Sequence, residues 1–160
     1  MTAWRNGLAP STVCPGGSFF AFGGLFVACP DPRTIDVDAV SAICPGCKIV
    51  VVQASSASIV NLGTAAATAA RQAGVVAISN SYGGGDLSDA SYGSYYNHPG
   101  IAVTASTGDN GYQGGSFPAS STYVTAVGGT SLTMSGTTRV SETVWSGAGS
   151  GCSVRPNRWR

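Results

Sequence analysis

The sequence predicts an α/β chain built on a parallel sheet with helices flanking it, and three observations carry that expectation. Short aliphatic runs recur at residues 49–52, 75–79, 101–105 and 123–127, and runs with little polar alternation belong to strands covered on both faces. Segments of helical period stand between the first three of them. The resulting order of strand, helix, strand, helix, strand is the one that right-handed crossovers use to build a parallel sheet.

Each element has its own reason. In residues 35–43, Ile35, Ala39, Val40 and Ile43 fall on one face, which reads as a short helix. Cys44-Pro45-Gly46-Cys47 breaks it. The Ala-rich stretch 59–73 reads as a second helix with Gly74 as its stop. Residues 86–96 read as a third, with Asp86 near its start and His98-Pro99-Gly100 beyond its end. Before Thr34 the chain is rich in Gly, Pro and Cys and shows no sustained period.

Hydrophobic residues make up 43% of the 160, enough for a packed core and too many for a disordered chain. Only 9% are charged, against roughly 25% in ordinary soluble domains, and small and hydroxyl residues fill the gap. That composition suits a secreted protein with a neutral surface. The net charge of +1 gives no electrostatic footprint for nucleic acid or for an anionic membrane. Five cysteines leave one without a partner inside the chain if the others pair. The apolar run 19–28 is too short to span a bilayer. It has the length of a signal core, but Arg5 is the only charge before it and Pro10 and Pro15 interrupt the approach, so it reads as a loop.

Small, polar, turn-forming residues follow the strands. Ser79-Asn80-Ser81-Tyr82-Gly83-Gly84-Gly85 follows the second, Ser106-Thr107-Gly108-Asp109-Asn110-Gly111 the third, and Gly128-Gly129-Thr130 the fourth. A parallel sheet keeps its functional residues at such carboxyl ends, and glycine there lets a substrate backbone come close. Phosphate-loop spacing is absent, which argues against nucleotide binding.

Four segments, in order, give the chain a recognisable cast. They are IDVDAVSAICPGCKIVVVQA (35–54), SNSYGG (79–84), IAVTASTGDNGYQGGSFPASSTYVTAVGGTSL (101–132) and SETVWSGAGSGCS (141–153). Together they resemble the sedolisin family of serine-carboxyl peptidases over residues 35–153. The resemblance implies a subtilisin-like fold, here cut off before its C-terminal elements, and a secreted, acid-active endopeptidase whose substrate is polypeptide. In such enzymes a serine attacks the peptide carbonyl, a glutamate is its general base, one aspartate orients the glutamate and a second stabilises the oxyanion.

By the motif match Asp109 is the oxyanion aspartate. A carboxyl must be protonated to donate a hydrogen bond there, which ties the chemistry to acid. Taken alone, Gly-Asp-Asn-Gly is a turn. Asp36 matches the orienting aspartate; its other reading is a carboxylate in the first turn of a helix. The family places its glutamate four residues earlier, where this chain has Pro32, with Asp31 shorter and out of register beside it. Ser81, Tyr82, Gly83 and Gly84 resemble the extended segment that pairs with substrate backbone and walls its first pocket, though an ordinary strand end would look the same.

The family's nucleophile stands in a Gly-Thr-Ser motif opening a buried helix. Gly129-Thr130-Ser131 is followed instead by the strand-like alternation of Leu132-Thr133-Met134, so Ser131 is rejected. Gly149-Ser150-Gly151 lacks the GxSxG spacing. His98, the only histidine, sits at a turn, which excludes an Asp-His-Ser triad. The resemblance implies a local disulfide at Cys44 and Cys47. Zinc would need further ligands, and a redox CxxC would open a helix rather than close one. The family's calcium site would lie beyond residue 160, so no cofactor is expected in this stretch. Residues 1–34 and 154–160 fit the family poorly, and reading-frame disruption or truncation at each end is the expectation. The rival reading is a peptide-binding protein without turnover.

Overall fold

A computed structural model describes residues 2–4 and 35–155. The apolar run 19–28, Asp31 and Pro32 and the tail beyond Arg155 lie outside the described residues, as do Cys14 and Cys29. The chain is mixed α/β with a small parallel sheet and a few helices. It divides into two compact units, Met1–Ser81 with His98–Val103, and Tyr82–Asn97 with Thr104–Arg160. Among the described residues no helix is long and apolar enough to cross a membrane.

In the first unit, β1 (Thr2–Trp4) pairs antiparallel with β2 (Ile49–Val51), Thr2 opposite Val51 and Trp4 opposite Ile49. The sequence gives no hint of β1, whose neighbours lack any period. Helix α1 (Ile35–Ile43) has the extent its apolar face predicts. Pro45 ends it, because proline restricts the residue before it and has no N–H to carry the helix on. The Cys44 N–H still reaches Val40 O at 2.8 Å, the Cys47 N–H closes the turn on Cys44 O at 3.0 Å, and a Cys44–Cys47 disulfide locks it.

Helix α2 (Ile59–Ala70) starts where Ser58 caps it, its hydroxyl accepting from the Asn61 N–H at 3.2 Å. Leu62, Ala65, Ala66 and Ala69 are its buried face, the i, i+3, i+4, i+7 stripe of an amphipathic helix. It ends three residues earlier than predicted, in a turn in which Gln72 N–H meets Ala69 O at 3.0 Å. Gly74 then reverses the chain at φ +81°, a conformation glycine takes without steric cost. The helix packs on β3 (Ala77–Asn80), whose Ile78 is buried.

Helix α3 (Asp89–Tyr92), in the second unit, is a single turn capped by Ser88 and continued by a 3-10 turn at Gly93–Tyr95. The predicted helix 86–96 is thereby corrected. Ser88 takes the cap position, its hydroxyl accepting from the Ala90 N–H at 3.2 Å, and Asp86 is left outside the helix. Asp89 turns its carboxylate to the Thr122 N–H at 2.9 Å and hydroxyl at 2.8 Å.

Strand β4 (Ala102–Ser106) lies in the middle of the three-stranded sheet, between β3 and β5 (Thr125–Val127). Its start belongs to the first unit, where the Ala102 N–H bonds Val76 O at 2.9 Å. Its end belongs to the second, where Thr104, Ala105 and Ser106 run parallel to Thr125, Ala126 and Val127. β5 is exposed throughout, so the fourth aliphatic run is an edge rather than a covered strand. The exposed hairpin of β6 (Thr130–Ser135) and β7 (Thr138–Val144) follows. The second unit's core includes Tyr82, Tyr96, Ala105, Phe117 and Ala119, with Tyr96 edge-on to Phe117 at 5.4 Å between centroids.

Candidate functional site

The site lies wholly in the second unit and begins where β4 ends. Gly108 at φ +98° and Gly111 at φ +68° turn the chain twice within four residues, and Asp109 stands exposed between them. Beyond this turn the chain is held by a second glycine-rich stretch. Gly149 N–H donates to Gly108 O at 2.8 Å, Ser150 N–H to Gly111 O at 3.1 Å, Gln113 N–H to Ser150 O at 2.8 Å and Gly115 N–H to Cys152 O at 3.2 Å. Residues 149–152 thus run beside 108–115 as a short main-chain ladder, with Tyr112 and Ser150 bridged in parallel.

Gly83, Gly84 and Gly85 line an open cleft of about 400 Å³ together with residues of this assembly. The Gly84 N–H is bonded to Phe117 O at 3.0 Å, and Gly84 O accepts from the Ser116 hydroxyl at 3.1 Å. A Cβ at Gly83 would strike Ser116 Oγ, so a side chain there requires that hydroxyl to turn away from Gly84 O.

Of the residues named from sequence, Asp109, Gly83 and Gly84 meet at this cleft. Tyr82 does not line it, and the reading that made it a pocket wall is corrected. Its ring is buried and its hydroxyl is 2.7 Å from that of Tyr96, because an aromatic body is stable inside only when its polar tip finds a partner. Burial raises the Tyr82 hydroxyl far above the usual phenol range, and the neighbouring Tyr96 adds to the rise. Tyr96 is pushed up to about 12, also by burial, with the bond from Tyr82 pulling the other way.

Ser81 follows β3 in the first unit and is half-buried. Asp36 is also in the first unit, in the first turn of α1, and its Oδ2 is buried with no hydrogen-bond partner among the described residues. Ser131 lies on β6 opposite Thr143 and is exposed. His98 sits in a turn where its carbonyl accepts from the Ile101 N–H at 3.0 Å.

Among the described residues Asp109 is the one titratable side chain lining the cleft; the others are glycine, serine, threonine, asparagine and glutamine. The serines there, Ser116 and Ser150, have no His, Glu or Lys beside them in that lining to take a proton. The arrangement can present a carboxyl and main-chain groups to an extended chain, and it contains no activated nucleophile. Among the described residues no group of three or more His, Cys, Asp or Glu side chains is placed to hold a metal ion.

Sequence reasoning missed Gly85 and the 149–150 stretch as cleft residues. Gly85 had a signal, as the third glycine of its run. The other had none, since a main-chain ladder of Gly and Ser leaves no hydrophobic period. The sequence matches no protein-family model and no curated protein.

Proposed function

We propose that the second unit carries the oxyanion and substrate-backbone half of a secreted sedolisin-type serine-carboxyl endopeptidase on a subtilisin-like fold, and that these 160 residues bind extended peptide without cleaving it. The observation that carries the reading is that Asp109, the one carboxyl among the described residues lining the cleft, lines it together with Gly83, Gly84 and Gly85. A protonated Asp109 donates to a peptide carbonyl, and an ionised one repels it, so binding belongs to acid.

Strand geometry refines the rim. Gly84 spends its N–H and C=O on Phe117 and Ser116, and successive residues of an extended chain bond to opposite sides. Substrate backbone then meets Gly83 and Gly85, flanked by no side chain. Turnover is a separate matter. Asp36 stands in the first turn of α1, but Pro32 occupies the position of the glutamate it would orient, and no serine stands in the nucleophile's full motif.

The test is incubation of the folded chain with a mixed peptide library at acid and neutral pH, reading both hydrolysis and binding. The expected result is binding at acid pH, weakened about tenfold by Asp109→Ala, without hydrolysis. A folded chain that binds no peptide at any pH overturns the reading. Hydrolysis that disappears in Asp109→Ala would place a nucleophile and a base within the chain and overturn the claim that it lacks turnover.

A further inference from the structure

Asp86 directly follows the glycine rim, yet its bonds run to residues 34 to 69 positions away. The Ser153 hydroxyl lies 2.9 Å from its Oδ1 and 3.0 Å from its Oδ2, the Val154 N–H donates to Oδ2 at 2.8 Å, and the Ser120 hydroxyl donates to Oδ1 at 3.2 Å. Arg155 donates from Nε to the Asp86 carbonyl at 3.2 Å, and its N–H bonds Ser153 Oγ at 3.1 Å. Gly115 lies beneath this knot, where a Cβ would come 3.1 Å from Asp86 Oδ1 and 3.0 Å from Ser153 Cα. The knot sits at the end of the 149–152 ladder that forms the cleft's far side. One carboxylate therefore ties the glycine rim to the opposite wall.

We propose that Asp86 is a positioning residue, a clasp whose ionised carboxylate holds residues 149–154 in place as the second wall of the cleft. The peptide-binding consequence rests on the function proposed above; the clasp itself does not. An ionised carboxylate accepts from all of these donors, whereas a protonated one brings a hydrogen against an N–H or a hydroxyl and loses at least one bond. Partial burial pushes the Asp86 carboxyl up, but the bonds from Ser153, Val154, Ser120 and the Arg155 main chain outweigh it and hold the group below the ordinary aspartate range. Among the described residues Arg155 is the charged group beside it, its Nε on the Asp86 main-chain carbonyl, and the carboxylate's side-chain partners are serine hydroxyls that do not titrate. A carboxyl depressed in this way contributes fully above its unfolded value and is lost only as pH falls through its lower folded one. The wall thus persists as pH falls through the unfolded aspartate range and opens only below it.

The test is amide hydrogen exchange on the full chain from pH 6 to pH 2.5, each rate divided by its intrinsic value. In the wild type the amides of Gln113, Gly115, Ser150 and Val154 are protected at pH 5 and lose protection at the acid end, while the β6–β7 ladder serves as internal reference. Asp86→Asn lowers protection of those four amides about tenfold at pH 5 and removes their extra loss in acid. Ser153→Ala, which keeps the carboxylate, lowers protection several-fold and keeps the acid loss. Wild-type protection in Asp86→Asn, or an unchanged acid limb, overturns the clasp. Peptide affinity measured on the same samples separates the two proposals. Exchange that changes as stated in a chain that binds no peptide leaves the clasp standing and removes the proposed function.

Discussion

Two stretches leave β5 in the second unit, and they are built in opposite ways. The hairpin of β6 and β7 is an antiparallel ladder from the Thr130–Val144 pair to the Ser135–Thr138 pair, its register shifting once between Thr133 and Met134, and Gly136 at φ +59° closes it. Its side chains are all exposed; Val140, for example, is 61% accessible and Leu132 54%. The wall has a short main-chain ladder over residues 149–152 but no room for a side chain at Gly149 or Gly151. A Cβ on Gly149 would run into the Thr107 carbonyl, and one on Gly151 into the Gln113 carbonyl. The hairpin is held by its own two strands and tolerates what its side chains are. The wall is held by close approach to another loop, which requires that Gly149 and Gly151 have no side chain, and by the bonds of Ser153 and Val154 to Asp86.

Gly149→Ala is the substitution that tests this contrast most severely. The added methyl meets a backbone oxygen, which cannot rotate away as a side chain would, so the wall or the Asp109 turn must shift. Overpacking of this kind costs about 3 kcal/mol, with a lower urea midpoint at unchanged slope as the signature. A loss below about 1 kcal/mol would mean that the wall is loosely seated and the contrast false.

A smaller effect is expected beneath the glycine rim, where Tyr82 and Tyr96 share their hydroxyl bond against Phe117. Tyr82→Phe keeps the ring and deprives the buried Tyr96 hydroxyl of this bond, at about 1–2 kcal/mol. The pair also gives stability an alkaline limit. Burial raises Tyr96 from 10.0 to about 12, so its share is complete below about pH 10, where the unfolded chain's phenols are protonated too, and fades as pH climbs through about 12. Denaturation midpoints at pH 8 and pH 11, with phenolate absorbance followed in parallel, check both points. Equal stability at the two pH values would place the pair in solvent rather than in the core.

What the sequence discloses about this unit follows the same division. Periodic elements are legible, and so are turns with special residues. Helix α1 has its predicted ends because four apolar side chains share a face and Pro45 follows. Asp109 is found in a tight turn because Gly-Asp-Asn-Gly can hardly form anything else. Asp86 is not legible as a clasp, because an acidic residue before an apolar-periodic stretch looks like the start of a helix and its true partners are a main-chain N–H and hydroxyls far along the chain. Tyr82 is misjudged for a related reason. In Ser81-Tyr82-Gly83-Gly84 only one residue has a large side chain, so no alternation says which way it points. The wall is hidden altogether, since recognition between two glycine-rich main chains has no side-chain pattern.

The smallest change sharpens the comparison from the other end. On the hairpin, Arg139 pairs with Glu142 at 2.8 Å, three residues away on the same strand, and Glu142 also accepts from the Thr130 hydroxyl at 2.6 Å. The arginine side chain is 65% accessible, so the pair gains little over hydration and is screened by salt. Arg139→Ala should therefore cost under about 0.5 kcal/mol, and raising the salt to 0.5 M should abolish even that difference. Leu132→Ser, on the same exposed surface, should stay within about 0.5 kcal/mol as well. The measurement is urea denaturation of each variant beside Gly149→Ala. A loss of 2 kcal/mol at Leu132 would show that the hairpin's apolar side chains are covered by something in solution, and the two stretches would then differ in what covers them rather than in how they are held.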